Sequence, residues 1–343
     1  MISPENGFQQ DPRGVRTDSS ESRGPNKVEL LTVPGLGGLY ARSVGAQAWL
    51  AVTSRLGRAG GVLPDVVYVT RGVRADADRL TAYQHLLGES ASDVLSAGFV
   101  HVLAFPVAVA VMVRRDFPLP LAGMVHLANR VEQLRPVSLG DALDVRAYAQ
   151  GLRAHRSGTQ VELVTEVSVA PDGDLPDGGT IGGELAYRGV STYLSRTIRL
   201  PPPRSEAPPV ERLADGRGST SRRESGGQTV PTGQWRLAGD VGRRYAAVSG
   251  DWNPIHLSAL TAKALGFPRA IAHGMYTASR ALATVGAART EAFTWTVEFV
   301  KPVLLPGTVT VRVAADEGVP GFGYAGWDAR SGRVHFTGTV VLH

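Results

Sequence analysis

The stretch Val131–Arg146, VEQLRPVSLGDALDVR, returns in the second half of the chain as Val297–Arg312, VEFVKPVLLPGTVTVR. Without a gap, seven of sixteen positions are identical, among them Glu132 with Glu298 and Pro136 with Pro302. A second match lies upstream. There YQHLLGE (Tyr83–Glu89) aligns with YAAVSGD (Tyr245–Asp251), keeping the tyrosine, an aliphatic residue, the glycine and an acid in register. Two matches in the same order read as a duplicated unit, and a chain of 343 residues exceeds what one ordinary core fills.

Between the two landmarks each half carries a helical segment. In the second half it is GMYTASRALATVGAA (274–288), where Met275, Ala278, Ala281, Leu282 and Val285 recur at helical spacing. In the first it is PVAVAVMV (106–113), apolar on all sides and so buried. The uncharged run 94–113 is nearly long enough to span a bilayer, but Ser96, His101 and Pro106 interrupt it. Proline is favoured at the first position of a helix, which predicts a break at Pro106, with a strand or loop before it and no membrane insertion. β-rich runs follow each helix, at 143–149, 160–169 and 184–193, and again at 293–300, 309–314 and 334–342. A long apolar helix followed by antiparallel strands, twice over, is an α+β fold with each helix wrapped by sheet. Residues 41–56 add an amphipathic helix outside the repeat.

Residues 201–232, dense in Pro, Gly, Ser and Arg, read as a linker, and residues 1–30 as a disordered tail. The folded units are then 31–200 and 233–343. The chain has no cysteine, which excludes disulfides and thiolate chemistry and predicts a reducing, cytoplasmic setting. Its net charge of +5 comes from arginines dispersed among acids, with Lys27, Lys263 and Lys301 the only lysines. That dispersal lacks the basic face and stacking aromatics of a nucleic-acid binder, and suits an anionic coenzyme, an acidic carrier protein or ordinary solubility with arginine-rich usage alike.

Chemistry concentrates in SGDWNPIH, Ser249–His256. Asn253 before Pro254 reads as a helix N-cap with proline at the first helical position. His256 then falls in the first turn and Asp251 just ahead of it, close enough for a carboxylate and an imidazole to address one water molecule. A calcium loop needs oxygen ligands where Pro254 and Ile255 stand, and a zinc site needs further ligands, so no metal is expected. AAVSGD is not G-x-S-x-G, which removes a serine hydrolase. A simple Asx turn would account for D-x-N-P alone. The following AIAHGMYTAS (270–279), however, puts Gly274 at a helix start, where unpaired N–H groups can receive a carbonyl oxygen. His273 reads as a packed or capping histidine without a chemical role, and GLGG (35–38) lacks the strand-helix context of a dinucleotide site.

Y-x-x-x-S-G-D-x-N-P-I-H (Tyr245–His256) together with A-H-G-M (Ala272–Met275) closely resembles the hydratase signature of the MaoC-like dehydratases, the (R)-specific enoyl-CoA hydratase group. The resemblance implies a double hot-dog fold and a reversible hydro-lyase of fatty acid metabolism, interconverting a trans-2-enoyl thioester and water with an (R)-3-hydroxyacyl thioester. It implies Asp251 and His256 as the catalytic dyad, Asn253 orienting them and the Gly274 N–H meeting the thioester carbonyl. Tyr245, Ser249 and Gly250 take supporting positions, and either dyad member could be the base. No cofactor is implied beyond the coenzyme A or acyl carrier protein bearing the substrate, for which Arg269 and Lys301 are candidate contacts. A hot-dog acyl thioesterase and a non-catalytic acyl-thioester-binding subunit are the alternatives. In the first half Glu89 stands at the Asp251 position but Val94 at that of His256. One active site per chain is therefore expected, with the first half as packing partner and acyl-pocket wall and His85, His101 and His126 as structural residues. Doubling supplies internally the pairing of single hot-dogs, so a monomer or a homodimer is expected.

Overall fold

The computed structural model describes residues 25–40, 61–121, 123–170, 183–200 and 230–343. Ahead of the repeat comes β1 (Asn26–Leu30). The first half contributes β2 (Val66–Val73), β3 (Val125–Gln133), β4 (Leu143–His155), β5 (Gly158–Val169) and β6 (Glu184–Ser195). The second contributes β7 (Gly233–Leu237), β8 (Phe293–Phe299), β9 (Gly307–Ala315), β10 (Gly321–Trp327) and β11 (Val334–Leu342). They form one 11-stranded sheet in the order β1-β2-β4-β5-β6-β3-β8-β11-β10-β9-β7. Outward from the β3–β8 junction the order is β6, β5, β4, β2 on one side and β11, β10, β9, β7 on the other. This is the same unit laid down twice, with β1 added in parallel to β2.

The junction carries the repeat in its register. The alignment that sets Val131 on Val297 also sets Arg130 on Thr296, and these two face each other across the antiparallel β3–β8 ladder. Ala128 pairs with Glu298 as Glu132 pairs with Thr294, the reciprocity of a self-complementary twofold contact. The halves are thus two hot-dog units joined edge to edge.

The helices are α1 (Ala77–Leu87), α2 (Ala97–Met112), α3 (Val241–Ser249), α4 (Ala259–Ala264) and α5 (Gly274–Val285). Helix α2 packs on β2, β4 and β5, and α5 on β9 and β11. The two cross at Gly98, where a Cβ would lie 2.3 Å from Ser279 Oγ. One continuous core runs through both halves, from Phe99 and Tyr187 to Trp295 and Phe336.

Two expectations are corrected. Helix α2 does not begin at Pro106 but passes through it. An internal proline costs about 3 kcal/mol, whereas burial of one Val, Leu or Phe is worth roughly 1.5–3 kcal/mol; every residue of α2 except Phe105 is buried. Asn26–Leu30, placed in the disordered tail, form β1, because β2 offers its free edge to them. The six β-rich runs all appear as strands, while β2, β3, β7, β10 and the helices α1, α3 and α4 add elements beyond those expected. The expected helix at 41–56 and most of the expected linker lie outside the described residues. Among those described, no helix is long and apolar enough to cross a membrane.

Candidate active site

The SGDWNPIH segment follows α3, which ends at Gly250 in the left-handed region with φ 78°. Arg79 of α1 donates to the carbonyls of Val248 (2.7 Å) and Ser249 (3.2 Å), so the first half holds the end of α3. Ser249 Oγ accepts from the Asp251 N–H at 3.1 Å. The Asn253 side chain accepts from the Ile255 N–H at 3.3 Å and caps a turn of 3-10 helix, Pro254–His256, with Pro254 in its first position as expected. Gly242 of α3 lies so close beneath this turn that a Cβ would meet the His256 carbonyl oxygen at 2.0 Å.

These constraints bring Asp251 and His256 together. Asp251 Oδ1 accepts from the Tyr40 hydroxyl at 2.5 Å and from the Asn253 N–H at 3.2 Å. His256 Nδ1 donates to the Ile271 carbonyl at 2.8 Å, since a carbonyl can only accept, and this leaves Nε2 as the unprotonated nitrogen. His273, given no chemical role from sequence, stacks on His256 with ring centroids 3.6 Å apart. Its Nε2 donates to the Asp251 backbone carbonyl at 2.9 Å and lies 3.7 Å from Asp251 Oδ2. Ligand-type atoms of Asp251, His256 and His273 fall within 4.8 Å of one another. The His273 nitrogen facing Asp251 carries a hydrogen, however. With that nitrogen committed as a donor, the groups left to accept from a water molecule are the Asp251 carboxylate and His256 Nε2.

Burial sets the charge states. By itself it raises the Asp251 carboxyl, but His273, His256, the Tyr40 hydroxyl and the Asn253 N–H outweigh it and hold the group below its ordinary value. Burial, with His273 adjacent, lowers His256 to about 3, and burial also lowers His273. Tyr40 is raised by burial and by Asp251, so it remains a donor. At neutral pH the site holds a carboxylate beside a neutral imidazole.

Both halves line the cavity in front of these groups, about 230 Å³ in volume. Phe105, Met112, Leu121 and Met124 come from the first half, and Tyr245, Ile271, Gly274 and Phe299 from the second. Gly274 begins α5 as expected, with His273 as its N-cap. A Cβ there would lie 2.9 Å from the Phe299 ring, so close aromatic packing requires the glycine as much as carbonyl approach does. Tyr245 is buried with its ring 4.9 Å from that of His273. Lys301 and Arg196 stand on the cavity wall, while Arg269 is not among the lining residues and instead donates to the Pro306 carbonyl. His101 and His126, expected to be structural, both line the cavity.

Comparisons with known proteins bear on the family and the fold. The family model described as MaoC like domain matches residues 227–323. The 3-hydroxyacyl-thioester dehydratase X of Mycobacterium tuberculosis is 32% identical over 283 residues, covering 81% of this chain and 90% of that protein. The chain belongs to the MaoC-like dehydratase family. The crystal structure of HtdX from M. tuberculosis superposes with a TM-score of 0.64 at 31% identity, over 80% of this chain and 98% of that one. A MaoC-like dehydratase from Phytophthora capsici shares the fold, with a TM-score of 0.58 at 19% identity over 81% of this chain and 95% of that one. This MaoC-like dehydratase is a double hot-dog, with the two units joined at the β3–β8 ladder. Two of its cavity residues were illegible as site residues. Tyr40 is 211 positions from Asp251, and His273 meets Asp251 through a backbone carbonyl that side-chain spacing does not reveal.

Proposed function

We propose that this protein is an (R)-specific 3-hydroxyacyl-thioester dehydratase that also runs as a trans-2-enoyl-thioester hydratase, with one active site per chain formed by the second hot-dog and roofed by the first. The observation that carries the reading is the gathering of the Asp251 carboxylate and the His256 ring within 4.8 Å of each other, with His256 Nε2 left unprotonated, in the cavity that Gly274 of α5 also lines. In hydration a water bridges these two groups. His256 Nε2 takes its proton as the oxygen attacks C3, and the imidazolium so formed is stabilised by the Asp251 carboxylate and by the Ile271 carbonyl on Nδ1. The proton then passes to C2. The Gly274 N–H, unpaired at the helix start, stabilises the enolate-like charge on the thioester oxygen. Asn253 fixes Asp251 through its backbone N–H and the turn through its side chain. Tyr40 holds the carboxylate ionised. Lys301 and Arg196 serve as contacts for the phosphate-bearing arm of coenzyme A or acyl carrier protein; Arg269, turned to Pro306, does not.

The test is incubation with trans-2-enoyl-CoA. Loss of the conjugated-thioester absorbance with no free thiol is expected. Release of thiol would instead identify attack on the carbonyl and a thioesterase, and binding without either change a non-catalytic subunit.

A further inference from the structure

The acyl cavity contains polar groups that water addition at C2 and C3 leaves unused. His101, in the second turn of α2, is 6% exposed and lines the cavity, and its ring stacks on Phe105 at 5.7 Å. No hydrogen bond to either of its nitrogens is found among the described residues, and neither nitrogen is sealed off, so both remain open toward the cavity. Beside it His126 stacks on Tyr193, with ring centroids 4.5 Å apart at 18°, and its Nε2 is buried without a partner. A register shift in the β3–β6 ladder between His126 and Ala128 breaks the strand's alternation, so that Val125, His126 and Leu127 all line the cavity. Phe299 links this cluster to the reacting end. Its ring covers Gly274 and lies 5.0 Å from that of His126.

A pocket for a plain alkyl chain needs only apolar walls, and burying an imidazole without a partner is unfavourable. Burial lowers His101 to about 4, so at neutral pH its ring presents one N–H donor and one lone pair. We infer that His101, flanked by His126 and Tyr193, determines specificity by receiving a carbonyl or hydroxyl oxygen carried on the acyl chain beyond C3, so that oxygenated acyl thioesters are preferred to plain ones of equal length. This rests on the thioester reading for the direction from which the chain enters.

The test is calorimetric binding of octanoyl-CoA and its 5-, 6- and 7-oxo derivatives, with turnover of the matching trans-2-enoyl-CoAs in parallel. At least one oxo derivative should bind about tenfold or more tighter than octanoyl-CoA, the effect of one hydrogen bond in a buried site. His101→Phe should bring that ratio to about one, and His101→Gln, which keeps a donor, should retain part of it. Should His101→Phe fail to fold, His101→Leu, which is smaller, suits the helix and likewise removes both ring nitrogens, must lower the ratio. Equal binding of all four compounds, binding of none, or a ratio that survives His101→Phe overturns the inference. An oxo preference in binding without hydration keeps it and removes the dehydratase reading, whereas hydration without preference does the reverse.

Discussion

Asp251 has two donors on one oxygen, and the stronger comes from Tyr40, in the segment after β1. Removing that donor with Tyr40→Phe raises the carboxyl's pKa. Because the ionised form is the working one, the acid limb of the kcat/KM profile should then move to higher pH while activity above neutrality changes less; a profile superposable on wild type would show that the contact does not tune the site. The closeness of Asp251 and His256 was legible because the motif sets them on either side of the Asn253 cap, where local capping rules fix much of their relative placement. Tyr40 was not, since nothing in GLGGLY announces a partner so far along the chain. His273 stood in view within AHG, but its contact runs to main chain.

Glycine contacts decide how the elements approach one another. Gly242→Ala would drive a methyl group into the His256 carbonyl, a backbone atom that cannot swing aside. The variant should lose about 1–3 kcal/mol or more of stability and turn over more slowly, as measured by denaturant unfolding and initial rates. Gly98→Ala meets Ser279 and Tyr83 where α2 and α5 cross, and should destabilise by a similar amount, about 1–3 kcal/mol, despite alanine's better helix propensity. The same packing explains why β10 was unreadable. GFGYAGW looks like a loop by composition, yet Gly326 is needed beneath the Phe336 ring, as Gly338 of β11 is beneath that of Tyr324. Runs rich in Val, Thr and Leu were readable because strand propensity and burial agree there. Helix α2 was misread at Pro106 because tertiary burial outweighs a local rule that holds for exposed helices.

Across the whole molecule, the duplication seen in sequence becomes a pseudo-twofold axis through the β3–β8 ladder, and both halves line the cavity in front of Asp251 and His256. That design buries neutral imidazoles. His101 at about 4 and His256 at about 3 lie below the 6.5 of a free histidine, so between these values the unfolded chain binds protons that the fold refuses. Stability should be full above about pH 7 and fall on acidification, by up to about 2 kcal/mol per histidine at pH 5. Asp251, lowered in the fold, adds to the loss in the same direction at still lower pH. Thermal melts at the two pH values would show it, and an unchanged midpoint would contradict it. The central claim, that Asp251 and His256 act as one unit on one water, is tested most directly by hydration of a trans-2-enoyl-CoA by Asp251→Asn, His256→Ala and the double variant, each verified as folded. The account predicts that each single change lowers kcat by about 10²–10⁴-fold, and that the double variant is hardly slower than the slower single one. Losses that multiply, or a single variant that retains wild-type rate, would contradict it.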